Sequence, residues 1–252
     1  MNLEKLSEDC MQIAIDAGHA IMEIYQKEDL GVEIKDDNSP LTLADKASHE
    51  VIMEGLTKLE YPILSEEGKE MSYDERKDWT TYWCVDPLDG TKEFINRNGE
   101  FTVNIALIHE KKPVLGVVYV PVKGVIYIGI DGIGAKKGEA GILDPIEVKW
   151  KEGNRVAVRS KSHANPAEEE IIGKYSATES ISVGSSLKFC MVAEGKADLY
   201  YRHGPTMEWD TAAGQAVVEA AGGHVYTGNT EDELFRYNKE NLLNGSFLVL
   251  GK

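Results

Sequence analysis

Cysteine is scarce in this sequence: Cys10, Cys84 and Cys190 are the only three among 252 residues. So odd and scattered a set cannot frame a disulfide scaffold, and without a Cys-x-x-Cys pair it offers neither a zinc clip nor a redox dithiol. A reducing cytoplasm fits it best. No apolar stretch approaches the ~20 residues of a membrane span; the longest, such as Val114 to Val122, are broken by Gly116 and Pro121. Met1 to Asp16 interleaves acidic and apolar residues instead of setting a basic segment before an apolar run, so no signal peptide is expected. Positive charge is in deficit too, since 27 Lys and Arg against 43 Asp and Glu leave a net charge of −16. That balance opposes non-specific binding to nucleic acid or to an anionic membrane. It does not exclude an anionic substrate, because clustered carboxylates that hold hard divalent cations reverse the local field.

What is present is an ordinary globular composition, 42% hydrophobic and 28% charged, without repeats, low-complexity tracts or flexible linkers. Leu6, Cys10, Ile13, Ala17, Ile21 and Ile24 recur at helical spacing, which predicts a helix over about Glu4 to Tyr25. Thr42-Leu43-Ala44-Asp45 has the form of a capping box and predicts a second helix from Thr42 to about Leu59. Short apolar, β-branched or aromatic runs at 61–65, 82–86, 101–109, 114–120 and 124–130 predict strands of a largely antiparallel sheet. Beyond about Gly141, strand-like runs at 155–158 and 180–183 alternate with helical ones at 166–174 and 186–194. A further helix over 209–221 ends at Gly222-Gly223, and a closing strand spans 246–250. The expected organisation is an α+β half, residues 1–140, packed against an α/β half, residues 141–252.

The sharpest local feature is Asp86-Pro87-Leu88-Asp89-Gly90-Thr91, placed where an apolar strand meets a turn. Two carboxylates and a hydroxyl emerge there from a rigid base, a common setting for catalytic groups. Asp-Pro and Asp-Gly also form ordinary turns. Glu66 and Glu67 follow another strand, and Asp210 follows Trp209 at a helix start. A solvated acidic face would explain the first pair, and a favourable charge against the helix dipole the second. Their joint occurrence is what changes the balance.

Ser65-Glu66-Glu67-Gly68, the Asp86 to Thr91 hexapeptide and Trp209-Asp210-Thr211-Ala212-Ala213-Gly214 together resemble the signature of the inositol monophosphatase superfamily, over nearly the whole chain. The resemblance implies a layered αβαβα sandwich and two or three Mg2+ ions per site. Glu66, Asp86 and the Leu88 carbonyl would hold one ion, and Asp86, Asp89 and Asp210 a second. It implies that Asp45 and Thr91 either position and deprotonate a nucleophilic water activated by the metals or order the metals near it, with no covalent phosphoenzyme. The backbone amides of Gly90 and Thr91 are candidates for binding phosphate oxygens. Asp45 is also the third residue of the capping box, so a structural role stands beside the catalytic one.

Within the superfamily, four segments resemble the bacterial bisphosphate nucleotidases: Asp37 to Thr42, Pro87 to Phe94 with its Lys92-Glu93-Phe94, Arg97 to Asn104, and Gly184 to Phe189. Removal of the 3′-phosphate of 3′-phosphoadenosine 5′-phosphate, lithium sensitivity and a place in sulfur metabolism are what this likeness implies. His163, Ser185, Lys188 and Arg202 match the groups that hold the nucleotide, each also explicable as an ordinary polar residue. A cytoplasmic location, with peripheral attachment to the inner membrane as an option, and a monomer or homodimer are compatible with it. An inositol or sugar phosphatase would keep the same carboxylates. A haloacid-dehalogenase-type phosphatase would need Asp-x-Asp, whereas two residues separate Asp86 from Asp89. A non-catalytic metal or nucleotide binder would not need the full carboxylate set.

Overall fold

The computed structural model describes residues 1–35, 39–139, 141–160 and 167–252. The helical periodicity at the start becomes α1 (Leu3–Tyr25), whose buried face carries Cys10, Ala14, Ala17, Ile21 and Ile24. Asn2 caps it by accepting from the Lys5 amide. Two short strands, β1 (Glu33–Ile34) and β2 (Pro40–Leu41), pair before α2 (Leu43–Leu56). The capping box is formed as expected, with Thr42 as N-cap and Asp45 accepting from its amide. The last predicted turn of this helix, 57–59, tightens into a 3₁₀ turn.

Then come β3 (Ile63–Ser65), α3 (Tyr73–Arg76), β4 (Thr81–Asp89) and α4 (Thr91–Ile95). They are followed by β5 (Thr102–His109), β6 (Lys112–Val120), β7 (Val125–Ile130), β8 (Gly134–Glu139) and β9 (Ile142–Ile146). β3 to β9 form one seven-stranded sheet in sequence order, parallel only between β3 and β4. β9 still belongs to this sheet, although it lies beyond residue 140.

The second sheet is built from β10 (Arg155–Ser160), β11 (Ala177–Val183), β12 (Leu199–Arg202), β14 (His224–Thr227) and β16 (Phe247–Leu250). Its order is β11-β10-β12-β16-β14, with β10 parallel to both its neighbours and β16 antiparallel to both of its own. The remaining elements are α5 (Ala167–Lys174), α6 (Leu187–Ala193), β13 (Thr206–Met207), α7 (Glu208–Ala220) and β15 (Leu243–Asn244). Pro166, expected to open α5, lies outside the described residues.

Strand alternation explains the layering. On β5, Val103, Ile105 and Leu107 face the core under α1 and α2, while Ala106 and Ile108 face the core shared with α6 and α7. In the second sheet Tyr200, Phe247 and Val249 join that central core, whereas Leu199, Tyr201, Leu248 and Leu250 pack with Ile171 and Ile172 of α5. Both faces of the central strands β4 to β7, β12 and β16 are therefore covered, which is why these strands are largely apolar. The layers run α1/α2, seven-stranded sheet, α6/α7, five-stranded sheet, α5, the αβαβα order expected. Gly116 and Gly129 let α7 sit unusually close to its sheet. A Cβ added to them would lie 2.4 Å from the Ala213 carbonyl oxygen and 2.5 Å from that of Ala216, respectively. All three cysteines are unpaired and buried. Among the described residues no helix is long and apolar enough to cross a membrane.

Candidate active site

β4 carries the hexapeptide into the middle of the molecule. Its pairing with β5 slips between Asp86, opposite Asn104, and Asp89, opposite Thr102. Three steps on β4 thus face two on β5, a bulge of the kind that re-aims side chains. The strand therefore runs through the expected turn, which is made instead by Gly90 at φ 93°. A Cβ there would sit 3.3 Å from the Glu100 carbonyl oxygen, so space and backbone conformation both call for glycine. Ser48 of α2 donates to the Pro87 carbonyl at 2.6 Å and holds the bulge from the other side.

Glu66 follows β3, Asp86 lies on β4 and Asp210 in the first turn of α7, and the three meet: one carboxylate oxygen from each lies within 4.8 Å of the others. Asp86 is buried among like charges, and burial first, then Glu66, Asp89 and Asp210, raise its pKa well above the usual range. Asp210 is raised in the same way, by burial and then by Asp89 and Glu66. Burial lifts Glu66 from 4.5 to about 7, against the opposing pull of Lys35. Such a cluster is costly without cations. All its donors are hard oxygens, the set that a divalent ion of the Mg2+ or Ca2+ type takes, so the residues present fit a metal centre.

Asp89 lines the same cavity but stands outside the closest trio. Its Oδ2 accepts from Ser186 Oγ at 2.9 Å and from Asn104 Nδ2 at 3.3 Å. Burial raises Asp89, with the Lys188 ammonium opposing. Asp210 also caps its helix, Oδ2 accepting from the Met207 amide at 2.8 Å. Asp210 thus both caps its helix and belongs to the acidic cluster. Asp45 divides its oxygens likewise: Oδ2 caps α2 through Thr42, while Oδ1 accepts from Thr91 Oγ1 at 3.2 Å. Burial raises Asp45 above the ordinary carboxylate range. The Leu88 carbonyl receives only a long bond from Thr91, at 3.5 Å.

Around the carboxylates opens a cavity of about 310 Å³, lined among others by Glu66, Asp86, Leu88, Asp89, Gly90, Thr91, Ser185, Lys188, Arg202 and Asp210. Lys188 is buried and donates to the Ser185 carbonyl at 2.6 Å. Burial lowers its pKa, with Asp89 opposing. Arg202, also buried, makes a long bond to the Pro205 carbonyl at 3.4 Å, and its Nε has no hydrogen-bond partner among the described residues. Ser185 Oγ is buried and likewise without a partner among the described residues, on a residue at φ 44°. Unsatisfied buried donors and a left-handed serine are features that ligand sites retain. His163, like Asp37 and Asn38, lies outside the described residues.

Sequence reasoning did not single out Lys35, whose ammonium pairs with Glu66 at 3.1 Å and with Glu67. Nor did it pick out Ser186, Asn104 or Glu208. Ser186 and Asn104 sat inside quoted segments without a role, and only their placement against Asp89 reveals one.

The chain matches the inositol monophosphatase family over residues 2–249. It is 49% identical to the 3′(2′),5′-bisphosphate nucleotidase CysQ of Escherichia coli strain K12, over 94% of this chain and 96% of that protein. It is 36% identical to CysQ of Haemophilus influenzae, over 98% and 93% respectively. The crystal structure of CysQ from Bacteroides thetaiotaomicron superposes with a TM-score of 0.89 at 45% identity, covering 100% of this chain and 98% of that one. An inositol monophosphatase from Anabaena shares the fold at a TM-score of 0.77, with 24% identity over 99% of this chain and 91% of that one. With the family match spanning nearly every residue, this chain belongs to the metal-dependent inositol monophosphatase family.

Proposed function

We propose that this protein is a phosphoric monoester hydrolase that removes the 3′-phosphate of 3′-phosphoadenosine 5′-phosphate, giving AMP and phosphate. It would act in the same way on the corresponding phosphosulfate. The observation that carries this reading is a single cavity lined both by the Glu66, Asp86 and Asp210 cluster and by the buried cations Lys188 and Arg202. A bisphosphate needs two such provisions, one for the phosphate that is cut and one for the phosphate that stays. The CysQ name of the 49%-identical relative supports the same substrate class.

The cofactor is Mg2+, two or three ions per site. Glu66, Asp86 and the Leu88 carbonyl would hold one, and Asp86, Asp89 and Asp210 a second. When bound, such ions supply Lewis acidity, lowering the pKa of water and stabilising charge on the leaving oxygen. The chain's own groups supply the rest. Thr91 Oγ1 donates to Asp45 Oδ1, which leaves its lone pairs to accept a proton from the attacking water and pass one on to Asp45. The raised pKa of Asp45 suits it as the base. The amides of Gly90 and Thr91 bind phosphate oxygens. Ser185, Lys188 and Arg202 hold the nucleotide through hydrogen bonds and charge; His163 is assigned there by resemblance alone. In this division of roles residues 1–140 supply most metal ligands, and residues 141–252 supply Asp210 and the nucleotide-holding groups.

Phosphate release with Mg2+ from 3′-phosphoadenosine 5′-phosphate, myo-inositol 1-phosphate and fructose 1,6-bisphosphate tests the reading. The nucleotide should give the highest kcat/KM. An equal or higher value for either sugar phosphate would overturn it in favour of an inositol or sugar phosphatase.

A further inference from the structure

Glu208 opens α7, two residues before Asp210, and its side chain is entirely buried. Its hydrogen-bond partners among the described residues are all donors. Oε1 accepts from the Lys239 amide at 2.9 Å and from Lys239 Nζ at 2.7 Å. Oε2 accepts from the Asn238 amide at 2.9 Å and from Tyr82 Oη at 3.3 Å. Tyr82 lies on β4, four residues before Asp86. Asn238 and Lys239 are held in turn by Arg76, whose guanidinium donates to Asn238 Oδ1 at 2.9 Å and to the Lys239 carbonyl at 2.7 Å. Asn238 Nδ2 returns a bond to the Arg76 carbonyl at 2.9 Å. Arg76 ends α3, ten residues beyond Glu66. Asn244 closes the arrangement, its Nδ2 donating to the Met207 carbonyl at 2.7 Å and its Oδ1 accepting from Lys239 Nζ at 2.9 Å.

The three segments that carry Glu66, Asp86 and Asp210 thus converge a second time, away from the cavity, on residues 238 and 239. One oxygen from each of the three carboxylates lies within 4.8 Å of the others, and like charges held so close push those segments apart. Glu208 is the group through which two of the three are joined directly, and its partners tie in the third. We propose that Glu208 is a positioning residue for the metal centre: it fixes the separation of Asp86 and Asp210 before any cation arrives. The inference rests on the reading that those carboxylates hold a divalent cation. No other residue type serves as well. An amide in its place would present an NH2 to one of the two donor pairs whichever way it turned, leaving buried donors unmet and forcing the clamp open.

The test measures Mg2+ binding by calorimetry and by the Mg2+ dependence of thermal unfolding, beside the Mg2+ dependence of phosphate release. If the wild-type protein binds no Mg2+, the metal reading itself fails. If it binds, Glu208→Gln should weaken affinity by about 10- to 100-fold, the range found when the partners of metal ligands are removed, with kcat at saturating Mg2+ changed less than the affinity. Lys239→Met, which removes one of the four donors and leaves the carboxylate, should weaken affinity less and serves if Glu208→Gln does not fold. A folded Glu208→Gln protein with wild-type Mg2+ affinity would overturn the proposal. So would a folded Lys239→Met protein with wild-type affinity, or a fall in kcat with affinity unmoved.

Discussion

Arg202→Ala separates recognition of the nucleotide from cleavage. Arg202 is buried, yet the described residues make little use of its guanidinium: among them one bond of 3.4 Å reaches the Pro205 carbonyl, and Nε has no partner. Its donors are therefore desolvated and oriented before the ligand arrives, the condition in which a charge-assisted bond is strongest. Each such bond to phosphate is worth about 1.5–3 kcal/mol, or about 10- to 150-fold in kcat/KM. One effect opposes the loss. Arg202 is among the groups that hold down the Lys188 pKa, so its removal relieves repulsion on a second phosphate-binding cation. The expected loss on 3′-phosphoadenosine 5′-phosphate is thus nearer the lower end, about 10- to 30-fold, while a small phosphate ester without a second phosphate should be cleaved almost as before. Steady-state kinetics on both substrates, with circular dichroism of the variant, measures this. Equal losses on both would show that Arg202 serves the fold or the metal centre, and its assignment to the nucleotide would be withdrawn.

Asp210→Asn keeps an oxygen for the Met207 amide but removes a charge from the cluster, so kcat should fall at least ~100-fold; near-normal turnover at saturating Mg2+ would contradict the ligand assignment. In the metal-free protein Glu66 binds its proton more tightly folded than unfolded, with a pKa moved from 4.5 to about 7, so its contribution to stability is lost as pH rises through that window. Asp86 and Asp210 act in the same direction. Thermal unfolding in EDTA should therefore show a lower Tm at pH 8 than at pH 5.5, and Mg2+ should raise Tm more at pH 8; a metal-free Tm that rises over this range would refute it. Gly129→Ala would put a methyl 2.5 Å from the Ala216 carbonyl oxygen and from Val217 Cα. Overpacking against backbone should cost about 1–3 kcal/mol, or roughly 2–4 °C of Tm per kcal/mol at this size, and an unchanged melting curve would show that α7 yields freely.

α1, α2 and β4 to β7 were legible because one face or both of each is apolar at the proper period, and the Thr42 box marked its helix start to the residue. β8 and β9 were not. These two strands contain glycines, lysines and a proline and are largely exposed, so they form because β7 offers an edge to extend and not because of their own pattern. The Glu66, Asp86 and Asp210 cluster was recoverable because its residues sit in dense local motifs. Asp89 was grouped with them through the family resemblance, and its Oδ2 also accepts from Ser186 and Asn104, partners that no local motif announces. Glu208 shows the limit. An acidic residue at a helix start reads as a favourable partner for the dipole, and the donors that give it another purpose come from about 30 residues further along the chain and from a different sheet.

The placement of α7 bears on how the molecule comes apart. Glycines at the floor of one sheet admit it closely, its other side meets α6 and the second sheet, and its first turn supplies Asp210. Neither sheet can shed that helix without opening its own core, so the halves should melt together in one transition and neither should fold when expressed alone. Ligand binding at one end of such a helix is felt along its whole length. Cation binding should accordingly slow amide exchange in β6 and β7 and in β14 and β16, strands that carry none of the clustered carboxylates, and by comparable factors, because the opening that exposes those amides is the same event that dismantles the site.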